Sequence, residues 1–268
     1  MNRKLEAVIF DWAGTTVDHG SLAPVRVLVQ VFAAHGVPIS NTQARRDMGL
    51  LKRDHIDRIL RSPEVWEHWT QRFGRTPTSA DVDELFAEFI PLQMQCLAEY
   101  SRLIPGAAEL TARLRDRGFK IGSTTGYTRP MLDLLLEHAR AQGYSPDLSL
   151  CPDDVGGGRP KPWMCYRLGM EFQLSSSAAC VKVGDTPADI AEGRNAGMWT
   201  VAVAATGNEI GLSEEEFAAL SETEREARVA AGRSNLLVAG AHYVVDSVAD
   251  CEGVLDEIER RIGNGYGP

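Results

Sequence analysis

Asp11 directly follows the apolar run Ala7, Val8, Ile9 and Phe10, and Gly14 and Thr15 come soon after it. Thr125 and Gly126 end a second such stretch, and Asp185 ends another, with Asp189 four residues further on. A fourth group, Gly158, Arg159, Pro160, Lys161 and Pro162, stands just before a helical stretch. A carboxylate at Asp11 can attack phosphorus and form an acyl phosphate, splitting one hard displacement into two easier ones. Mg2+ takes oxygen ligands, usually one or two carboxylates with waters and substrate oxygens. Asp11, Asp185 and the backbone carbonyl of Ala13 meet that demand. The Thr125 hydroxyl, the N–H groups around Gly126 and a cation at Arg159 suit phosphoryl oxygens and the charge they develop. Singly, each residue has a plainer reading. An Asp at a strand end often makes a turn, Asp185 and Asp189 can cap a helix, and Arg159 can be a surface cation. It is their order, each at a strand end or a helix start, that points to phosphoryl chemistry.

For these groups to converge, the strand ends must share one edge. Residues 7–10 read as a buried strand. Segments 24–35, 42–60 and 79–100 carry apolar residues at helical spacing with no strand pattern between them, and Ser79 with Asp81 and Asp83 mark a helix start. Pro105 and Gly106 open a further helix that ends near Gly118. Strands at 119–124, 148–151, 179–183, 200–203 and 242–245 then alternate with helices, including 129–142 and 163–172. That rhythm predicts a parallel sheet with helices on both faces. The expected organisation is an α/β core, residues 1–20 and 101–268, with an all-helical insertion, residues 21–100, after the first strand. Ligands of open α/β sheets sit at the carboxyl ends of the strands, so such an insertion would cover the site as a lid. Residues 209–233 read as a charged, mostly helical surface element.

The bulk numbers narrow the function. At 44% hydrophobic and 24% charged residues the chain is an ordinary globule rather than a disordered one. A formal net charge of −9 argues against nucleic acid or an anionic membrane as partner, while leaving room for a local cluster of cations around a small anion. Cys96, Cys151, Cys165, Cys180 and Cys251 form no C-x-x-C pair and read as reduced thiols of a cytoplasmic enzyme. Residues 1–10 hold too short an apolar run for a signal peptide, and no stretch approaches the ~20 apolar residues of a membrane span.

With its strand-end Asp11, Gly14 and Thr15, then Thr125, Arg159 before Pro160, and Gly184, Asp185 and Asp189, the chain resembles the haloacid dehalogenase superfamily of phosphohydrolases. The resemblance runs over nearly the whole chain. It implies a Rossmann-like parallel sheet core with an inserted all-helical cap domain, Mg2+ as cofactor and Asp11 as nucleophile. One departure is informative. Phosphatases and mutases of the superfamily carry a second Asp two positions after the nucleophile, which protonates the leaving oxygen; here that position is Ala13. Loss of such a general acid costs roughly 10²–10⁴-fold. Either this is a poor phosphatase, or the leaving atom is not oxygen.

The helical segment offers a partner for the second case. Lys52 and His55, three apart, share one helical face just after Met48 and Gly49. A lysine amine kept partly neutral by desolvation can condense with an aldehyde, and the resulting imine draws electrons from an adjacent breaking bond. If that bond joins phosphorus to carbon, no leaving oxygen needs a proton. With these residues the resemblance narrows to the phosphonatase branch of the superfamily. That implies a small phosphonate aldehyde as substrate, and a homodimer paired through the cap. Trp66 and Trp69 are candidate dimer contacts or cap core. His55 is either an acid/base for imine formation or a structural hydrogen-bonding residue. Met48 and Gly49 either line the substrate pocket or, for Met48, pack. Lys161 competes with Arg159 for the phosphoryl group, and the family pattern favours Arg159. Two other functions compete: an ordinary phosphomonoesterase or sugar phosphomutase, and a receiver domain phosphorylated at a strand-end Asp. The receiver fits poorly, since the chain is twice too long and Asp11 lies on the first strand.

Overall fold

The computed structural model describes residues 4–268, so the first three residues of the segment read above as no signal peptide lie outside it. The first strand, β1 (Ala7–Phe10), is followed by five helices: α1 (Leu22–Ala34), α2 (Asn41–Arg45), α3 (Lys52–Arg61), α4 (Pro63–Phe73) and α5 (Ser79–Leu97). The chain then alternates: α6 (Ala107–Asp116), β2 (Lys120–Thr124), α7 (Arg129–Ala141), β3 (Leu148–Leu150), α8 (Trp163–Glu171), β4 (Cys180–Gly184), α9 (Pro187–Asn195) and β5 (Trp199–Val203). It closes with α10 (Glu214–Ala219), α11 (Glu222–Val238), β6 (Tyr243–Val245) and α12 (Cys251–Gly263).

The strands form one parallel sheet in the order β3-β2-β1-β4-β5-β6. Along β1 the side chains alternate between faces, as strand geometry requires. Val8 and Phe10 pack with Leu110 and Leu114 of α6 and with Leu255, Ile258 and Ile262 of α12. Ala7 and Ile9 face Met164, Cys165 and Leu168 of α8. Burial on both faces explains why the strands read as continuous apolar runs. This is the expected α/β core with a helical cap between its first and second strands.

The cap has its own apolar core, built from Leu28 and Phe32 of α1, Ile56 and Leu60 of α3, Trp69 of α4 and Leu85 and Phe89 of α5. It continues through Trp12 into Met131, Leu132 and Leu135 of α7, so the cap rests on the sheet layer rather than standing apart. At the entrance to α1, Asp18 accepts bonds from the backbone N–H groups of Leu22 and Ala23, both at 3.0 Å, satisfying donors that the first helical turn leaves free.

One expectation needs correcting. The segment 42–60 is two helices, because the chain leaves α2 after Arg45 and passes through Gly49 at φ +90 before α3 begins. A Cβ at Gly49 would lie 2.4 Å from Thr186 Oγ1, so only a glycine lets this turn touch the core. The helix start read at Ser79 is met: α5 runs from Ser79, with Thr78 as its cap, whose backbone N–H donates to Asp81 at 2.6 Å. Of the two readings of Trp69, dimer contact or cap core, the structure bears out cap core, with its ring buried against His35 and Phe73; Trp66 is half-buried. Helices α4 and α12 were not anticipated. All five cysteines are free, with Cys96 half-buried and the others buried. No helix among the described residues is long and apolar enough to cross a membrane.

Candidate active site

The sheet order puts the three strands that carry the suspected groups side by side, β2-β1-β4. Phe10 is level with both Ser123 and Val183, so Asp11, Thr124 and Gly184 emerge together and Thr125 and Asp185 one residue later. The strand order reverses between β1 and β4, where open α/β sheets form their ligand crevice. Into it come Asp11, Ala13, Thr125, Gly126, Arg159 and Thr186 from the core, and Met48, Gly49 and Lys52 from the cap, lining a narrow cavity with Ser21, Pro24 and Tyr127.

Arg159 is buried and holds a fixed place. Its Nη2 donates to Asp11 Oδ1 at 2.6 Å and to the carbonyl and hydroxyl of Thr124 at 2.8 and 2.9 Å. Its Nε donates to Glu192 at 2.9 Å, and Nη1 lies 3.0 Å from Asp189. Planar guanidinium groups suit such multiple carboxylate pairing. Lys161 instead lies over the Trp163 ring, 4.4 Å from its centroid, on the surface. Arg159, not Lys161, reaches the Asp11 carboxylate.

Asp11, Asp185 and Asp189 bring carboxylate oxygens within 4.8 Å of one another. Asp189 is already committed: Oδ1 lies 2.7 Å from Lys182 Nζ, and Oδ2 accepts from Thr186 Oγ1 at 2.6 Å. Asp185 accepts from Thr15 Oγ1 at 3.2 Å and from the Asn208 backbone N–H at 2.7 Å, with no cationic side chain on it. Burial, then the negative charge of Asp11 and Asp189, pushes Asp185 well above the ordinary carboxylate range. Burial raises Asp11 as well, against the pull of Arg159, whereas Asp189 is lowered by Arg159 and Lys182 against its own burial. Three carboxylates, Asp11, Asp189 and Glu192, share Arg159 and Lys182, and Asp185 has neither, an excess of negative charge that a divalent cation would offset. A Cβ at Gly14 would lie 2.1 Å from Asp185 Oδ2, so the loop is cut to sit against that oxygen. The carboxylates of Asp11 and Asp185 fit a hard cation, with Asp189 tied to Lys182 and Thr186 beside them.

Lys182 and Glu192 were missed by sequence reasoning, although a lysine inside an apolar strand and a glutamate one turn beyond Asp189 are signals of a buried ion network. Lys182 lies fully buried, 2.7 Å from Asp189 and 3.6 Å from Glu192. Removing one partner of a buried pair leaves the other charge uncompensated. Lys182→Met is therefore expected to cost about 3–5 kcal/mol of unfolding free energy. Urea denaturation measures it, and a loss below about 1 kcal/mol would mean that Arg159 alone carries the two acids.

The cap half of the cavity centres on Lys52, the first residue of α3. Its Nζ lies 3.6 Å from Met48 Sδ and 5.5 Å from the centre of the Tyr127 ring, and the side chain is buried. Burial lowers the amine to about 8, outweighing Asp11, while Arg159 pushes the same way as burial. A helix N-terminus, positive by its dipole, also disfavours the ammonium form. His55 is fully buried beside it, and neither ring nitrogen meets a partner at hydrogen-bonding geometry. Burial and the Lys52 charge hold the imidazole neutral, with its pKa down to about 3. The Ala44 backbone faces His55 and opposes that lowering, which leaves both readings of His55, acid/base or structural, in place. Tyr127, also not anticipated, is a buried phenol held well above its usual pKa by burial.

The fold, the strand-end aspartates and the helical cap define a hydrolase of the haloacid dehalogenase type, and the chain belongs to that family: the haloacid dehalogenase-like hydrolase signature matches residues 5–197. Among its relatives is the phosphonoacetaldehyde hydrolase of Bacillus cereus strain B4264, 45% identical over 258 residues, which are 96% of this chain and 98% of that protein. The phosphonoacetaldehyde hydrolase of Bacillus anthracis is likewise 45% identical over the same shares. The crystal structure of a phosphonoacetaldehyde hydrolase-like protein from Oleispira antarctica superposes with a TM-score of 0.97 at 40% identity, covering 100% of this chain and 97% of that one. A putative phosphoglycolate phosphatase from Lactobacillus delbrueckii shares the fold, with a TM-score of 0.67 at 20% identity over 96% of this chain and 99% of its own.

Proposed function

We propose that the protein hydrolyses the carbon–phosphorus bond of phosphonoacetaldehyde, giving acetaldehyde and phosphate, with Mg2+ held by Asp11, Asp185 and the Ala13 carbonyl. The observation that carries this reading is a buried amine, Lys52, lowered to about 8 and lining the same cavity as Asp11, in a chain with alanine where an oxygen leaving group would need an acid. The relatives that share this chain's length act, by name, on that substrate.

In the proposed cycle the neutral Lys52 amine adds to the substrate aldehyde, and loss of water with uptake of a proton leaves a protonated imine. Mg2+ supplies charge neutralisation at the phosphonate oxygens. Arg159, with the Thr125 hydroxyl and the N–H of Gly126, orients the phosphonate, and Thr15 steadies Asp185. Asp11 attacks phosphorus as the P–C bond breaks, and that bond's electron pair moves into the imine to give an enamine on Lys52. The carbon then takes a proton, water hydrolyses the imine to release acetaldehyde, and a second water cleaves the aspartyl phosphate. The neutral imidazole of His55, buried beside Lys52, would serve as the acid/base for imine formation. Met48 and Gly49 shape the aldehyde end of the pocket, and residues 21–100 act as a cap closing on residues 1–20 and 101–268. Pairing of two chains through their caps completes the proposal, and the five free cysteines suit work in the reducing cytoplasm.

Borohydride reduction in the presence of phosphonoacetaldehyde, followed by peptide mass analysis, tests the reading. A two-carbon adduct on Lys52 is expected. No adduct, with phosphate released from sugar phosphates instead, would return the protein to the phosphomonoesterases. Because the amine must be neutral to add, trapping at fixed aldehyde concentration should speed up as pH rises and level off above about 8. A profile that is still climbing at the ordinary lysine range would contradict a desolvated Lys52.

A further inference from the structure

Arg45 ends α2, on the cap, yet its side chain reaches the core. Its Nη1 donates to the Gly20 carbonyl at 2.7 Å, the Ser21 carbonyl at 3.4 Å and Asn208 Oδ1 at 3.2 Å, and Nη2 to the Gly211 carbonyl at 3.1 Å. The contact is returned: Asn208 Nδ2 donates to the Arg45 carbonyl at 3.3 Å. Every hydrogen-bond acceptor is a neutral oxygen, so the guanidinium docks here as a rigid fork of donors, while the carboxylates of Asp18, Asp185 and Glu216 act on it only through their charge.

The loop that receives it, residues 204–213 after β5, also touches the acidic site. The Asn208 backbone N–H donates to Asp185 Oδ2 at 2.7 Å. Thr206 donates its hydroxyl to the Gly14 carbonyl at 3.0 Å and accepts from the Gly20 N–H at 2.7 Å. The seam leaves no room for side chains: a Cβ at Gly211 would lie 2.5 Å from Arg45 Nε, one at Gly20 2.2 Å from the Leu212 carbonyl oxygen, and one at Gly207 2.5 Å from Asp185 Cβ. Asn208 is thus one residue with two attachments, its side chain on the cap and its backbone on Asp185.

We propose that Arg45 is a positioning residue that couples docking of the cap to the orientation of Asp185, through Asn208. When α2 lifts away, Asn208 loses its side-chain partner and the donor that orients Asp185 Oδ2 is released with it. Coupling of this kind is reciprocal, so a cation on Asp185 favours the docked cap. The proposal rests on the reading of Asp185 as a metal ligand, and its coupling part does not depend on the substrate.

The test is a double-mutant cycle on Mg2+ binding without substrate, using Arg45→Gln, Asn208→Ala and the pair, read by calorimetry and by the Mg2+-induced rise in Tm. Each single change should weaken Mg2+ binding about tenfold, the usual cost of losing a group that orients a ligand. The double variant should be no weaker than either single one, because both cut the same connection. Arg45→Lys keeps the charge but not the fork and should recover only part of the loss; it also replaces Arg45→Gln should that variant fold poorly. In the same variants KM should rise more than kcat falls, since closing the cap becomes harder. Unchanged Mg2+ affinity in both single variants, or two losses that add, overturns the coupling. Failure of the Lys52 trapping experiment with the Mg2+ cycle intact would instead remove the phosphonate reading and leave Arg45 in its role.

Discussion

Lys52→Arg is expected to lose turnover of phosphonoacetaldehyde by on the order of 10⁴-fold or more, the scale seen when a covalent group is removed from a catalytic unit. Arginine keeps the positive charge and much of the bulk, yet its guanidinium stays protonated and forms no imine. Without the imine the carbon has nowhere to send the electron pair of the P–C bond, and Asp11 has no leaving group to expel. Near-wild-type turnover by this variant would remove the Schiff base from the mechanism. A companion change reads the cost of holding the amine. The folded protein lowers Lys52 from 10.5 to about 8, so below pH 8 the buried ammonium is a burden that the unfolded chain does not carry. Stability should therefore rise as pH climbs from about 8 to the ordinary lysine range. At pH 7, Lys52→Met should be more stable than the parent by up to about 3 kcal/mol, the free-energy equivalent of that shift. Urea unfolding at pH 7 and pH 10 checks both the gain and its disappearance at the higher pH. A destabilised Met variant would mean that packing, not charge burial, dominates at this position.

Asp11→Asn is the second large effect. Turnover should fall by on the order of 10⁴-fold or more, because the amide is a far weaker nucleophile toward phosphorus and no aspartyl phosphate forms. Folding should not suffer. Burial raises the Asp11 carboxyl above its ordinary value despite Arg159, so its ionised form costs stability that is lost progressively as pH rises above the unfolded carboxylate range. A neutral amide of the same shape removes that cost, while Arg159 keeps Asp189 and Glu192 as partners. The metal-free variant should melt at or above the parent temperature at pH 7, and Mg2+ should no longer raise its Tm as it does for the parent. A modest loss of activity places the nucleophile elsewhere. A large drop in melting temperature makes Asp11 a structural partner of Arg159 first. Residues placed for reactivity commonly trade stability in this way.

The sheet was legible because its strands, buried on both faces, read as short apolar runs, and because helices with recognisable caps separate them. Strand starts and ends were met to within one residue for β2 to β6. The cap was harder. Its helices pack on each other and on α7, and the break between α2 and α3 comes from a contact of Gly49 with Thr186, over a hundred residues away in the chain. Helical periodicity carries no trace of such a contact, so 42–60 read as one segment. The same limit hid α4, whose apolar stripe is narrow, with Val65 and Trp69 as its buried residues.

The aspartates at strand ends, the alanine at position 13 and the lysine three residues before His55 were determined by the sequence alone, because reaction type follows from which functional groups are present and at which ends of elements they lie. Which of them meet was decided by the tertiary structure. Arg159 rather than Lys161 joins Asp11 because the fold buries one and leaves the other on the surface beside Trp163. Asp189 supports rather than competes as a ligand because Lys182, from the middle of β4, takes its oxygen. Lys52 holds its proton less tightly because the cap closes it in a cavity away from water. Charge state, pairing and desolvation depend on distances between segments far apart in the chain, and those distances exist only once the cap has folded down on the sheet.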